Sequence, residues 1–432
     1  MADGLPVPPG YRALGSEELR DYAAGEPKIA DCLGGEPAAW RIEEVGDGNL
    51  NLVFILRGPT GGLAVKQALP YVRLVGESWP LPLSRAHYEQ MALAHQDALA
   101  PGLVPRVVHY DETLALIAME LLEPHIIMRH GMIAGTVYPG FVEAITDFTA
   151  KCYFHTSDLA LPADRKKALL GAFAGNSALC KITEDLIFTE PYMLAEKNRW
   201  TSPYLDRMAA ALRDDWEMKV AISRLKLAFM SNAQALLHGD LHSGSIMLTT
   251  SDTRVIDPEF AFVGPIGFDL GALLANLLMS YFSQSGHAAA PGERDHYRAW
   301  ILETVEGCWT GFAKKFLALW RSPAAQGDGY PRCLFEGETG EAALEAERQV
   351  WMAKLFGETV AFTGAELIRR TLGLAHNIDF EWIEDEQRRA TCEARAIALA
   401  RDLMVPGQQI LSVQDITKLA QARQSWDPPL AT

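Results

Sequence analysis

The sequence has no excess of basic charge, no long uninterrupted apolar run and no clustered cysteines, and each absence removes a class of function. Lys and Arg number 39 against 55 Asp and Glu, a formal charge of −16. A chain that acidic carries no electrostatic footprint for nucleic acid or an anionic membrane, so neither is expected as a partner; only a small basic patch in a cleft stays open. The six cysteines, Cys32, Cys152, Cys180, Cys308, Cys333 and Cys392, are scattered, with no Cys-x-x-Cys pair and no Cys/His cluster of zinc spacing. They read as ordinary buried thiols of a reducing compartment. The most apolar long stretch, Ile266 to Phe282, is interrupted by Asp269 and Asn276 and is short for a span, so it reads as a buried helix. The opening MADGLPVPPGYRALG lacks the basic-then-apolar pattern of a signal peptide. A cytoplasmic protein is expected. Internal repeats and low-complexity segments are also missing.

What is present is a globular composition, 49% apolar and 22% charged, over 432 residues. That length leaves room for two or three domains. The first 40 residues are rich in Pro and Gly, with one helical pattern around Ser16 to Tyr22 and Ser16 as its candidate cap. Leu52–Leu56 and Leu63–Gln67 are short apolar runs around Gly58-Pro59-Thr60-Gly61-Gly62, a strand–turn–strand signal. A helix is expected over Ser84–Leu99 and a strand over Ala115–Leu122. Beyond Pro124 the pattern is mainly helical, with candidates Phe141–His155, Asp206–Leu237, Phe268–Phe282, Glu293–Leu319, Gly340–Arg370 and Glu384–Leu403. Ile246–Thr250 and Arg254–Asp257 break that trend as a short hairpin, and Ser322–Gly340 reads as an exposed loop. A β-rich beginning followed by a larger helical part predicts an α+β chain of two lobes with a cleft between them.

Four segments carry chemistry. Gly46-Asp47-Gly48-Asn49 lies between strand-like runs, where glycines let a backbone approach a phosphate; alone it reads first as a turn. Lys66 ends an apolar strand, on the face of Ala64. It is either an edge lysine or a charge reaching phosphates, with Glu89 of the next helix as its candidate partner. His238-Gly239-Asp240 follows a helical stretch, and Asp257-Pro258-Glu259 follows a strand. Two acidic sites at the ends of a hairpin can converge on one metal and one nucleophile, and carboxylates are hard ligands suited to Mg²⁺. Pro258 breaks the strand and frees Asp257 and Glu259 to turn into the cleft.

The order Gly-loop, strand Lys, linker strand, His-x-Asp loop, hairpin, Asp-x-Glu is the part order of the protein-kinase fold. HGDLHSGS resembles the catalytic loop of the aminoglycoside-phosphotransferase and choline-kinase branch. Over nearly its whole length the chain is similar to the 5-methylthioribose kinase family, on GDGNLNLVF, AVKQALPYVRLVGESWPLPLSRAHYE, AMELLEPH, NRWTSPYLD, HGDLHSGSIM, VIDPEFAFVGPIGFDLGALLANL and ELIRRTLGLAH.

The resemblance implies a bilobal protein-kinase-like fold, with an ATP-binding lobe over residues 1–123 and a catalytic, sugar-binding lobe over 124–432. It implies ATP-dependent phosphorylation of the anomeric hydroxyl of 5-methylthioribose in methionine salvage, with Mg²⁺, and a homodimer. Carried over, Asp240 takes or orients the acceptor hydroxyl, Asp257 and Glu259 hold the metal, and Lys66 reaches the phosphates. Asn49 and its neighbours cover those phosphates, and Glu120, Leu121 and Leu122 edge the adenine pocket. Arg369 and Arg370 are both candidates for the substrate; they point about 100° apart on a helix, so one rather than both is expected to face the cleft, and at least one to contact the sugar or the transferring phosphoryl group. Ser245 stands where protein kinases place a metal-binding Asn, so Glu259 is the candidate substitute. His238 is expected to be structural, and Trp79 and Trp200 are core residues or a cover for the methylthio group. The rival readings are another small-molecule kinase of this fold and a nucleotide-binding pseudokinase. Lys66, Asp240 and Asp257 are all retained, which opposes the second.

Overall fold

The computed structural model describes residues 7–430 except 47–49, 74–75, 324, 406 and 408. Two helices, α1 (Ser16–Gly25) and α2 (Pro27–Leu33), lead into β1 (Arg41–Glu44), β2 (Asn51–Arg57), β3 (Gly62–Ala68), the hairpin β4 (Tyr71–Val72) and β5 (Gly76–Pro80), α3 (Arg85–Leu99), β6 (Val107–Asp111) and β7 (Leu116–Glu120). Strands pair antiparallel in the order β1-β2-β3-β7-β6. One face of this sheet sends Phe54, Leu56, Leu63, Val65 and Leu116 into a small core with Leu19, Ile29, Leu33 and Trp40 of the preceding segment. Alternation leaves Ala64 and Lys66 on the opposite face, toward α3.

The larger lobe contains β8 (Ile126–Ile127), α4 (Met128–Ala134), α5 (Phe141–His155), α6 (Ala163–Phe173), α7 (Ser177–Leu186), α8 (Asp206–Asp214), α9 (Trp216–Ser231), β9 (Ala235–Leu236), β10 (Ile246–Leu248), β11 (Thr253–Val255), β12 (Val263–Gly264), α10 (Ile266–His287), α11 (Asp295–Arg321), α12 (Glu338–Leu372), α13 (Ile378–Glu381), α14 (Glu386–Met404) and α15 (Val413–Gln424). The chain is thus an α+β, two-lobed, protein-kinase-like fold. Its axis is α10, apolar on every side, which packs against α11, α12 and α14. By length and composition α10 could cross a membrane, yet all of its most apolar window is buried in protein. Its polar side chains are partnered: Asp269 and Asn276 both reach elements that carry the cleft.

Several expectations are corrected. The stretch Asp206–Leu237 is two helices and a strand, because Asp215 leaves helical geometry and its carboxylate caps α9 by accepting from Met218 N–H at 3.0 Å. Gly15, not Ser16, caps α1, with Glu18 accepting its N–H at 2.8 Å. Residues 322–340 are not wholly exposed: Gly327 and Gly329 donate to the carbonyls of Leu159 and Asp158 at 3.1 and 2.9 Å. Helices α2, α4, α6, α7, α13 and α15 have no counterpart in the sequence reading.

Leu278 is fully buried in α10. Leu278→Ala should therefore lower stability by about 2–5 kcal/mol, seen as a lower urea midpoint by tryptophan fluorescence. An unchanged midpoint would show that this helix is not the packing axis.

Candidate active site

The chain leaves β9 and turns through His238, Gly239 and Asp240. Asp269 of α10 accepts from the backbone N–H groups of His238 and Gly239 at 2.7 and 3.0 Å, and from the Tyr153 hydroxyl at 2.8 Å. His238 is buried, and its Nε2 donates to the Ile256 carbonyl at 2.8 Å, while its Nδ1 accepts from Asp240 N–H at 3.3 Å. The ring therefore ties the loop to the residue before Asp257, the structural role expected of it. Gly239 has φ +85°, and a Cβ there would fall on the Phe260 carbonyl, so glycine is required for the turn that sends Asp240 into the cleft.

Lys66 stands at the centre of the first cluster. Its ammonium lies 2.8 Å from Glu89 of α3, in contact with Asp257, and 3.6 Å from Glu259. Ligand oxygens of Glu89, Asp257 and Glu259 lie within 4.8 Å of one another. Burial alone would lower the Lys66 ammonium, but the three carboxylates outweigh it and hold it above its ordinary value. Burial pushes Glu89 up, against the pull of Lys66. Asp257 is exposed and has φ +68°, a strained backbone for a non-glycine residue, and buried Pro258 follows it. Glu259 is buried and accepts from Asn51 Nδ2 at 2.8 Å, with Arg85 Nε 3.8 Å away.

The second cluster surrounds Asp240. Its Oδ1 lies 3.8 Å from Arg369 and 3.5 Å from Arg370, and its Oδ2 lies 3.2 Å from His242 Nε2. Burial would raise this carboxyl, but His242 and the two guanidiniums hold it well below the usual carboxylate range. Both arginines face Asp240, which corrects the expectation of one. The cause is Glu366, one turn earlier on α12. It accepts from Arg369 at 2.8 Å and from Arg370 Nε at 2.7 Å and draws both flexible side chains to one side.

Other expected residues fall as follows. Gly46 is an exposed turn residue, and Asp47, Gly48 and Asn49 lie outside the described residues. Glu120 accepts from Arg106 N–H at 3.2 Å and lies 3.6 Å from Arg254, so its carboxylate is engaged within the structure. Leu121 is half-buried over Gly62, and Leu122 is buried. Ser245 is buried, with its hydroxyl 3.5 Å from His242 Nδ1. The Trp200 indole donates to Asp206 at 2.7 Å, and Trp79 lies under the Lys197 ammonium, 3.7 Å from the ring centroid. Sequence reasoning missed Asn51, Arg85 and Glu366. For Arg85 and Glu366 a signal existed: Arg85 and Glu89 are four apart, and Glu366 precedes Arg369 and Arg370 by three and four.

Residues 41–307 match the profile described as "Phosphotransferase enzyme family". The chain is 45% identical over 409 residues to methylthioribose kinase 1 of rice, covering 94% of each chain. It is 44% identical over 419 residues to a methylthioribose kinase of Escherichia coli, covering 96% of this chain and 99% of that one. Among solved structures it is similar to choline kinase from Cryptosporidium parvum, at 13% identity and a TM-score of 0.45, covering 91% and 98% of the two chains.

Burial would raise the Glu366 carboxyl, but Arg369 and Arg370 hold it below its ordinary value. A carboxyl depressed in the folded state stabilises it above the unfolded value of about 4.3, and that contribution is lost as pH falls through the folded value. Glu366→Gln should therefore cost about 3–5 kcal/mol at pH 7, and the deficit against wild type should shrink as pH falls below about 4. Equal melting temperatures at pH 7 would contradict the clamp.

Proposed function

From the premise that this chain belongs to the phosphotransferase enzyme family, and within it to the methylthioribose kinases, we propose that it transfers the γ-phosphoryl group of ATP to the anomeric 1-hydroxyl of 5-methylthioribose. The observation that carries this reading is the position of Asp240 between His242 on one oxygen and Arg369 and Arg370 on the other. Two guanidiniums beside the acceptor-binding carboxylate oppose a cationic acceptor such as an aminoglycoside or choline.

Phosphoryl transfer asks mainly for positioning and charge neutralisation. Asp240 Oδ1 accepts the hydrogen bond of the sugar hydroxyl and orients its oxygen toward phosphorus. As the new P–O bond forms, the bond from phosphorus to the β–γ bridging oxygen breaks. ADP leaves with that electron pair, and the hydroxyl proton passes to Asp240. A carboxylate held this far down is a weak base, which suits a late proton transfer and makes orientation its larger contribution. Arg369 and Arg370 donate to the moving phosphoryl group, whose spread negative charge matches a guanidinium fork. Lys66, braced by Glu89, neutralises the nucleotide phosphates, and Asn49 with Gly46, Asp47 and Gly48 covers them. Backbone groups of Glu120, Leu121 and Leu122 receive adenine.

The donor set of the first cluster fits Mg²⁺: carboxylate oxygens gathered within 4.8 Å, with more acid than the one lysine neutralises. Asp257 and Glu259 would hold the ion, which when bound neutralises charge on the phosphates. Ser245 faces His242 instead, so Glu259 is the better substitute for the Asn of protein kinases.

The lobes divide at 123/124 in this reading, and the enzyme works as a cytoplasmic homodimer. All six cysteines are free, which supports a reducing compartment, but only Cys152, Cys308 and Cys392 are the buried thiols expected; Cys32 and Cys180 are half-buried and Cys333 is exposed.

A kinase assay comparing methylthioribose with ribose and an aminoglycoside tests the function; preference for either of the others would overturn it. In the same assay Asp240→Asn should lose on the order of 10²–10⁴-fold in kcat while still binding ATP. Glu259→Ala should raise the magnesium concentration needed for half-maximal rate by about tenfold or more. An unchanged magnesium titration would leave Asp257 as the single protein ligand.

A further inference from the structure

Asp240 is held through His242, and the His242 ring is itself held from behind. β8 pairs with β10, the strand that follows the catalytic loop, and α4 begins directly after β8. Arg129, the second residue of α4, is thereby laid against the loop. Its backbone N–H donates to the Ser243 carbonyl at 3.1 Å, and its Nε donates to the Ser243 hydroxyl at 3.0 Å. One terminal nitrogen donates to Asn276 of α10 at 2.8 Å and lies 3.5 Å from His242 Nδ1. Gly244 N–H donates to the same Nδ1 at 2.8 Å. Two donors converging on Nδ1 select the tautomer with its proton on Nε2, the nitrogen that faces Asp240. A Cβ at Gly244 would lie 2.6 Å from His242 Cε1, so the ring sits directly against the loop backbone. Fully buried Asp379 of α13 supplies the counter-charge, 3.4 Å from Arg129 Nε.

We propose that Arg129 is a positioning residue for phosphoryl transfer: anchored by Asp379 and Asn276, it fixes His242 as the Nε2–H tautomer, and His242 holds Asp240 Oδ2 so that Oδ1, beside Arg369 and Arg370, is turned to the acceptor hydroxyl. This rests on Asp240 being the residue that receives that hydroxyl. The groups facing His242 are Asp240 and Ser245 of its own loop, Arg129 of α4 and Arg370 of α12. Burial, with Arg370 and Arg129, pushes the ring down to about 4 against the pull of Asp240, so it is neutral at working pH. Arg129 is the smallest of these contributions, so without it burial and Arg370 still keep the ring neutral.

The test is a double-mutant cycle of Arg129→Lys and His242→Ala, with ¹⁵N NMR of the imidazoles in the full chain. Arg129→Lys alone should lower kcat by about tenfold or more, with the sugar KM changed by less than about threefold. In the His242→Ala background the same change should cost less than about twofold, because a residue acting through His242 has nothing left to act on. Equal losses in both backgrounds, or no loss in either, overturn the proposal. If Arg129→Lys does not fold, Asp379→Asn takes its place in the cycle. The wild-type His242 should show a protonated Nε2 and no titration above about pH 5. In Arg129→Met/Asp379→Asn, which removes both buried charges together, Nδ1 loses the Arg129 donor and its ¹⁵N shift should move from the wild-type position. An unchanged His242 spectrum there overturns the proposal whatever the acceptor proves to be. Failure to phosphorylate methylthioribose would instead count against the function alone.

Discussion

A charge withdrawn from water must find its opposite within a few ångströms, and the cleft is organised by that requirement. A lone buried ion costs several kcal/mol, whereas a paired and hydrogen-bonded one is tolerated. Lys66 is shared among Glu89, Asp257 and Glu259, and Arg85 adds a second cation to Glu259. Around Asp240 the acids Asp240, Glu366 and Asp379 face Arg369, Arg370 and Arg129. The first set keeps a surplus of negative charge, which suits a cation and its phosphates. The second is balanced and rich in planar forks, which suits an anion that exists only while it is being transferred.

The two sets reach the cleft from different layers of the fold. Lys66 comes from the sheet, Glu89 and Arg85 from α3, and Asp257 and Glu259 from the segment after β11. Asn51 links them, donating to Glu259 and accepting from Arg85 at 2.9 Å. The contacts of Lys66 and Asn51 with Asp257 and Glu259 therefore cross between the lobes. The second set depends on α10 and α12, whose mutual packing fixes Asp269 under the turn His238-Gly239-Asp240 and Glu366 beside it. The apolar core thus does more than hold the lobe together. It sets the distance between Asp240 and the arginines that flank it.

Much of this was legible in the chain because local pattern and chemistry coincide there. Lys66 and Glu89 sit on a strand and a helix whose apolar periods are clear, and Glu89 is the candidate partner because it lies within the helix that follows. Asp240, Asp257 and Glu259 stand beside glycine or proline at strand ends, where side chains turn outward. The resemblance to a known family supplied the substrate, which no spacing could. What stayed hidden depended on contacts remote in sequence. Arg129 and Asp379 have no pattern of their own; they matter because β8 pairs with β10 and α13 folds back under α4. Helical angle alone placed one arginine at the site, and Glu366 placed two. The break between α8 and α9 was written in Asp214-Asp215, but a continuous apolar pattern masked it.

The backbone at Asp257 constrains that position in two independent ways. Its φ of +68° lies where, apart from glycine, mainly Asn and Asp are found. Of those three residues only Asp carries a negative charge, and Glu has no comparable tolerance for the conformation. A drift to Gly or Asn would relax the chain and lose the carboxylate that meets Lys66; a drift to Glu would keep a carboxylate and strain the chain. Position 257 therefore has no neutral neighbour in substitution space. Its tolerance to random mutation should be among the narrowest in the molecule, although its side chain is exposed.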